Sequence, residues 1–171
     1  MAGQLIQVAT NTVTSAVASV TLTGIDSDDV YMLTFSNVVP ATDTQVLYWR
    51  LKNSSGDVTS ANYDYAMKVF RTAQAFSNFS NTNQTAFRDF TVGTGTQQKE
   101  NGILYLFNFS NSSEYSFYTH ETTVIDDVGE TSGMAGGGTL TITESHTGLT
   151  FYFGSGNIDT GSSFVLYGLK K

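Results

Sequence analysis

The sequence has no cysteine, a single proline and only 8 basic residues among its 171. Without cysteine the chain has neither disulfides nor thiolate metal ligands, so its stability must come from packing, backbone pairing or oligomerisation. With 15 acidic residues the net charge is −7. No basic cluster can neutralise a row of phosphates, which argues against nucleic acid as a partner.

Targeting and membrane-spanning patterns are also missing. The first 24 residues contain neither Lys nor Arg, unlike a secretory signal peptide. No apolar run approaches the roughly 20 residues that a spanning helix needs. We therefore expect a soluble chain, made in a cytoplasm, with no membrane partner.

What the sequence does contain is alternation of apolar and polar residues at the period of a half-buried strand. The clearest example is Val30–Lys52, where two apolar runs flank a ten-residue link, Ser36–Gln45. That link is too long for a two-residue hairpin. We predict that it crosses between two sheets, with Pro40 at an edge or in the crossing and Trp49 in the core between the sheets.

Similar short runs follow along the chain, separated by Gly, Asn and Asp. The predicted strands are Val17–Thr23, Asn62–Arg71 (where a helical pattern also fits), Ala86–Val92, Ile103–Phe109, Tyr115–Ile125, Thr139–Glu144, Gly148–Gly154 and Ser163–Leu169. The rest of Thr72–Thr96 is predicted as a long loop, and the glycine-rich run Gly129–Gly138 as a flexible hinge or loop. Short strands at this spacing predict an all-β antiparallel sandwich or barrel with little or no helix. We divide the chain into an N-terminal arm or short strand, residues 1–16, and one β-sandwich domain, residues 17–171.

No pattern in the sequence identifies a reaction. His120 and His146 lack the helical spacing of a zinc site, although they could meet across a sheet. Asp26, Asp28 and Asp29 are weak candidates for calcium binding, and a turn in which Asp bonds its own backbone explains them equally well. We assign no catalytic residue, no cofactor and no metal site, and predict a protein that is not an enzyme.

Aromatic residues in the middle of the chain are the stronger candidates for contacts with other molecules. They lie among Ser, Asn, Thr and Gln, a combination found in subunit interfaces and in glycan-binding faces. The candidates for interface or ligand contacts are Phe76, Phe79, Phe87, Phe90, Tyr115, Phe117 and Tyr118. Packing in the core is the alternative role for the same side chains.

Three segments together resemble a known group of proteins. They are Ser19-Val-Thr-Leu-Thr-Gly24, then Val30-Tyr-Met-Leu-Thr-Phe-Ser-Asn-Val-Val-Pro-Ala-Thr-Asp43 with Leu47-Tyr-Trp-Arg-Leu51, and finally Gly154-Ser-Gly-Asn-Ile158 with Phe164-Val-Leu-Tyr-Gly-Leu-Lys170. This order is similar to that in small β-rich virion structural proteins of tailed bacteriophages, including marine and cyanobacterial phages. The segment Thr72–Gly138 has no counterpart in the resemblance.

The resemblance implies a jelly-roll-like sandwich that assembles as an oligomer, with a trimer favoured. It implies a structural role on the exterior of the virion, as a capsid decoration or cement protein or a head-fibre subunit, with the major capsid protein or other virion proteins as partners. The alternative is a tail-fibre or receptor-binding adhesin domain whose partner is a host surface glycan. A depolymerising enzyme is the third reading.

Overall fold

A computed structural model describes residues 4–27 and 30–170. The described residues form strands and connecting segments without a helix, as the alternation predicts, so none of them builds a helix that could cross a membrane. The strands are β1 (Gln4–Thr12), β2 (Val20–Thr23), β3 (Tyr31–Val38), β4 (Gln45–Asn53), β5 (Gly56–Asp57), β6 (Tyr63–Arg71), β7 (Ser77–Gln84), β8 (Phe87–Val92), β9 (Glu100–Phe107), β10 (Tyr115–Ile125), β11 (Thr131–Thr143), β12 (Gly148–Phe153) and β13 (Ser163–Lys170).

These strands form two antiparallel sheets that pack as a sandwich. The large sheet has the order β1-β13-β3-β9-β10-β11-β6-β7, and the small sheet has the order β2-β12-β4-β5, with β8 also paired to β4. The predicted β-sandwich is therefore confirmed, whereas the jelly-roll arrangement stays a prediction. The N-terminal segment is a strand, because β1 pairs with β13 from Gln4 to Thr12.

The predicted crossing between sheets lies where the sequence placed it. Strand β3 belongs to the large sheet and β4 to the small one. Pro40, in the connection, makes an isolated bridge to Ile158. Trp49 is 1% exposed; its ring lies 4.4 Å from that of Phe87 and 4.6 Å from that of Tyr118, measured between centroids. The only tryptophan thus joins the small sheet to the large sheet at the centre of the core.

The middle of the chain departs from two predictions. The segment predicted as loop contains β7, whose polar sequence SNFSNTNQ conceals an edge strand. The glycine-rich run is not a hinge, because most of it lies in β11, paired to β10 and β6 on both sides. A Cβ on Gly138 would lie 2.7 Å from the Tyr118 ring and 2.9 Å from the Tyr65 Cβ. Backbone oxygens of the neighbouring strands lie closer still to this position and to those of Gly136 and Gly137, so glycine is needed for the close approach of these strands.

Candidate binding faces and buried polar groups

The aromatic candidates separate into buried and exposed groups. Phe87, Phe90 and Tyr118 are 1%, 5% and 2% exposed and belong to the core. They take the packing role and present no surface for a ligand. Phe79 is half-buried on β7, with its ring 5.7 Å from that of Tyr65.

The remaining candidates do reach the surface. Phe76, Tyr115 and Phe117 are 62%, 42% and 44% exposed. The ring of Phe76 packs edge-on against Phe70, 5.1 Å away, next to the edge strand. Tyr115 and Phe117 lie on β10 and point outward from the large sheet, because the intervening Ser116 and the following Tyr118 are buried. Tyr115 and Phe117 are part of a larger apolar surface.

This apolar surface is the outward half of β1, β13, β3, β9 and β10, here called the apolar face. Alternation and register place on it Leu5, Met32, Ile103, Tyr105, Phe107, Tyr115, Phe117, Val165, Tyr167 and Leu169. Leu5, Ile103, Tyr105 and Leu169 are 38–51% exposed. These four residues were not among the predicted candidates for contacts. Ile103 and Tyr105 lie in a segment that was predicted only as a strand, and the pattern did not show that the outer face of this strand is open.

Charge is unevenly distributed over the outside of the large sheet. Of the outward positions on the described strands, only Asp64, Lys68 and Glu121 are charged, and they lie on β6 and β10. The outward positions of β13, β3 and β9 carry no charge. Depletion of charge around aromatic residues is the composition of an interface core.

Next to the apolar face is a shallow groove of about 820 Å³. Gly137 and Ala66 lie on its floor and Phe117 on one wall, while Asp64 lies across β11 from Phe117. The Asp64 carboxylate accepts a 2.7 Å hydrogen bond from the backbone N–H of Asn83. This bond holds the turn at the end of β7, where Asn83 has a φ of 55°. Asp64 therefore has a structural role.

A second concavity, of about 510 Å³, lies between the small sheet and the β6–β7 edge of the large sheet. Tyr48 and Tyr152 form one side, and the segment from Gln84 to Arg88 forms another. We call it the tyrosine cleft. Sequence analysis did not find it, because its residues come from β4, β6, β7, β8 and β12, which are far apart in the chain. The lining of the tyrosine cleft is polar and aromatic, and in this it differs from the apolar face of the large sheet.

His146 is at the centre of a buried polar group at one end of β10. Its ring is 0% exposed; Nδ1 lies 2.8 Å from the Ser116 hydroxyl and Nε2 lies 3.1 Å from the Glu144 carboxylate. A carboxylate only accepts hydrogen bonds, so Nε2–H donates to Glu144 and Nδ1 accepts from Ser116. Burial lowers the pKa of His146, and the Glu144 carboxylate opposes that shift. The order Ser–His–Glu resembles a catalytic triad, but Ser116 is 1% exposed and faces the core, closed to any substrate.

A second buried polar group lies further along β10. Asp89 on β8 accepts a 3.1 Å hydrogen bond from the Thr122 hydroxyl. Glu100 is fully buried, and its two carboxyl oxygens have no hydrogen-bond partner among the described residues. Burial and then the nearby Asp89 carboxylate raise the pKa of Glu100 well above its ordinary value.

His120 belongs to the same group and is 3% exposed. Neither ring nitrogen has a hydrogen-bond partner among the described residues, and its ring stacks on Tyr118 at 5.6 Å. Burial lowers the pKa of His120, against the pull of Asp89 and Glu121. The two histidines do not meet. His146 contacts Ser116, four residues before His120 on the same strand, a separation of about 13 Å at the rise of a strand.

The calcium candidates are only partly within the described residues. Asp28 and Asp29 lie outside them. Asp26 accepts a 3.1 Å hydrogen bond from the Tyr31 hydroxyl, and this hydroxyl also accepts from the backbone N–H groups of Asp26 and Ser27. Among the described residues no group of three or more His, Asp or Glu side chains is placed to hold a metal ion.

Comparison of the chain with protein-family models, with curated proteins and with solved structures gave no match.

Proposed function

We propose that the chain is a non-enzymatic structural subunit on the exterior of a tailed-phage virion, a capsid decoration or cement protein or a head-fibre subunit. The resemblance of the two ends of the chain to such proteins supports this proposal. So does the apolar face, which is the single observation that carries the idea of assembly. A jelly-roll topology is part of the proposal.

The apolar face is continuous over five neighbouring strands. It spans β1 to β10, four intervals of about 4.8 Å, and is therefore about 19 Å wide. Large contiguous apolar patches of this kind mark interaction sites. A stable interface needs about 800 Å² from each partner, so the surrounding Thr, Ser and Gln side chains must contribute as a polar rim. Copies of this chain, in a trimer, and the major capsid protein are the proposed partners.

The apolar face favours assembly through packing, with many copies on a symmetric particle adding to the strength of attachment. Tyr105 and Ile103 lie on β9, the fourth of the five strands that form the apolar face, with β3 and β10 on either side. A lysine at either position would place a charge in the interface core. Burial of a charge without a partner costs several kcal/mol, enough to dissociate a subunit contact.

The test is the mass of the assembly in solution together with its location on particles. We expect the wild-type chain to form trimers or to bind isolated phage heads, and the double variant Ile103→Lys, Tyr105→Lys to do neither while keeping its folded circular dichroism spectrum. Thr59→Lys, in an exposed loop, is the control for added charge. A wild-type chain that stays monomeric at tens of micromolar and does not bind heads or tails would overturn the proposal, as would a double variant that assembles normally.

A further inference from the structure

We propose that the tyrosine cleft binds an acidic saccharide, a pyranose that carries a carboxylate or sulfate group. None of the residues that line the cleft belongs to the apolar face, so this inference goes beyond the assembly role of that face and does not depend on it. The cleft is lined by Tyr48, Tyr65, Asn81, Gln84, Thr85, Ala86, Arg88, Tyr152 and Gly154. Its volume, about 510 Å³, is within the range of small-molecule sites.

The aromatic side of the cleft is held in place before any ligand arrives. Tyr48 and Tyr152 are partners on the adjacent strands β4 and β12, and their rings stack at 5.7 Å with an angle of 20°. The Arg50 guanidinium lies 4.8 Å from the centre of the Tyr152 ring and donates a 2.9 Å hydrogen bond to the Thr85 carbonyl. A Cβ on Gly154 would come within 3.3 Å of the Tyr48 ring, so glycine keeps this side open. Rigid aromatic rings suit the apolar C–H face of a pyranose.

The charge of the cleft is opposite to that of the protein. No Asp or Glu is among the lining residues, although the chain has 15 acidic residues. Arg88 lines the cleft, and Arg50 is beside it. Among the described residues the Arg88 guanidinium has no ion pair or hydrogen bond, and it lies 5.0 Å from the centre of the Phe79 ring. Arg88 also borders a smaller concavity that is lined by Asp89, Asp126 and Asp127, but it forms no ion pair with them. A guanidinium that is held in place without an anionic partner is suited to bind a carboxylate or sulfate on a ligand.

Further polar groups suit the hydroxyls of a sugar. The Asn81 amide N–H donates to the Tyr65 hydroxyl at 3.3 Å, and the Gln84 amide N–H donates to the Thr82 carbonyl at 2.9 Å. These bonds orient both side chains and leave their carbonyl oxygens as acceptors. The hydroxyls of Tyr48 and Tyr152 have no hydrogen bond to any described residue. Two cations, Arg50 and Arg88, are too few to neutralise a row of nucleic-acid phosphates. The polar groups of the cleft would also be left without partners by a purely apolar ligand.

The experiment is a titration of the full chain by calorimetry with four probes: an oligo-uronate, a sulfated oligogalactan, a neutral oligoglucan of the same length and inorganic sulfate. We expect at least one of the acidic oligosaccharides to bind, and the neutral one and free sulfate to bind at least tenfold more weakly. The uronate and sulfated probes distinguish the two sources of negative charge. Equal affinity for acidic and neutral oligosaccharides would overturn the proposal, as would free sulfate binding as tightly as the oligosaccharides or no binding of either acidic probe.

Substitutions test whether the acidic oligosaccharide binds in the tyrosine cleft. Arg88→Gln is expected to weaken binding of the acidic oligosaccharide about 10- to 100-fold, the usual effect of losing a charged hydrogen bond. Arg88→Lys should restore part of that loss. Lys68→Gln removes the same charge from the outside of the large sheet and should leave binding unchanged. If Arg88→Gln binds as the wild type does, or if Lys68→Gln weakens binding equally, the assignment to the cleft is wrong.

Discussion

The two histidines of this protein lie on or against the same strand, β10, and are both buried, yet their surroundings are opposite. His146 has a hydrogen-bond partner at each ring nitrogen. His120 has none among the described residues, and Glu100 in the same group has none either. A buried polar side chain stabilises a fold only when its hydrogen bonds are complete. We therefore expect the hydrogen bonds of the His146 group to stabilise the fold, and the burial of His120 and Glu100 to cost stability.

The largest effect is expected at the complete group. In His146→Leu, Ser116 would lose its partner inside the core, and Glu144 would keep the Asn53 amide as a donor but lose the histidine. We expect the free energy of unfolding, measured by chemical denaturation, to fall by about 2–4 kcal/mol. Glu144→Gln keeps an acceptor near Nε2 and is expected to cost less. A loss below about 0.5 kcal/mol for His146→Leu would show that the His146 hydrogen bonds contribute little to stability.

The next effect is an increase in stability from Glu100→Gln. Burial raises the pKa of Glu100, so at neutral pH the folded state must either keep its proton or bury a charge. The amide removes that cost with little change in shape. We expect the free energy of unfolding at pH 7 to rise by about 1–3 kcal/mol, with Glu121→Gln, on the exposed side of β10, as the matched control. Destabilisation by Glu100→Gln would mean that its carboxylate is stabilised in the folded state.

The pH dependence of stability should show the two histidines and Glu100 acting in opposite directions. The folded-state pKa of both histidines is below the ordinary 6.5, so their contribution is complete above that pH and is lost as the pH falls through 6.5 and below. The pKa of Glu100 is above the ordinary 4.5, so its contribution is complete below that pH and is lost as the pH rises. Denaturation between pH 7 and pH 5 should therefore give a steeper loss for Glu100→Gln than for the wild type. If the free energy of unfolding changed with pH by the same amount in Glu100→Gln and in the wild type, the expected opposite effect of Glu100 would be contradicted.

The smallest effect is expected at His120. Since neither of its nitrogens has a partner among the described residues, His120→Leu removes only the stacking on Tyr118 and a costly polar burial. The two changes should nearly cancel and leave the free energy of unfolding within about 1 kcal/mol of the wild-type value. Thermal unfolding of His120→Leu beside His146→Leu tests the comparison directly. Equal losses for the two substitutions would remove the distinction between the two groups.

Sequence reasoning succeeded where a segment had strong alternation of its own. The strand over Tyr115–Ile125 was predicted with the bounds of β10, and Ala86–Val92 was predicted to within one residue of β8. It failed for β7 and for the glycine-rich first part of β11, which lack a pattern, whereas the second part of β11 was predicted as the strand Thr139–Glu144. These two segments are extended because they pair with neighbouring strands, and the local pattern of apolar and polar residues does not indicate that pairing.

The binding faces were predicted less well than the fold. Of the contact candidates, Phe76, Tyr115 and Phe117 reach the surface. Phe87, Phe90 and Tyr118 have a similar sequence context and lie in the core. Alternation shows that neighbouring side chains point to opposite faces of a strand; it does not show which face is covered. The tyrosine cleft had no sequence signal at all, since Tyr48 and Tyr152 become neighbours only through the pairing of β4 with β12.

The sequence by itself determined that this protein is an all-β sandwich, that β3 and β4 belong to different sheets and that Trp49 is in the core. These properties depend on the period of apolar residues and on the length of one link, which are local. The tertiary structure alone decided which side of the large sheet is open and which histidine has partners. It also decided that Arg88 and two tyrosines line one cleft whose lining contains no Asp or Glu. Such properties depend on contacts between residues far apart in the chain, and no local pattern contains them.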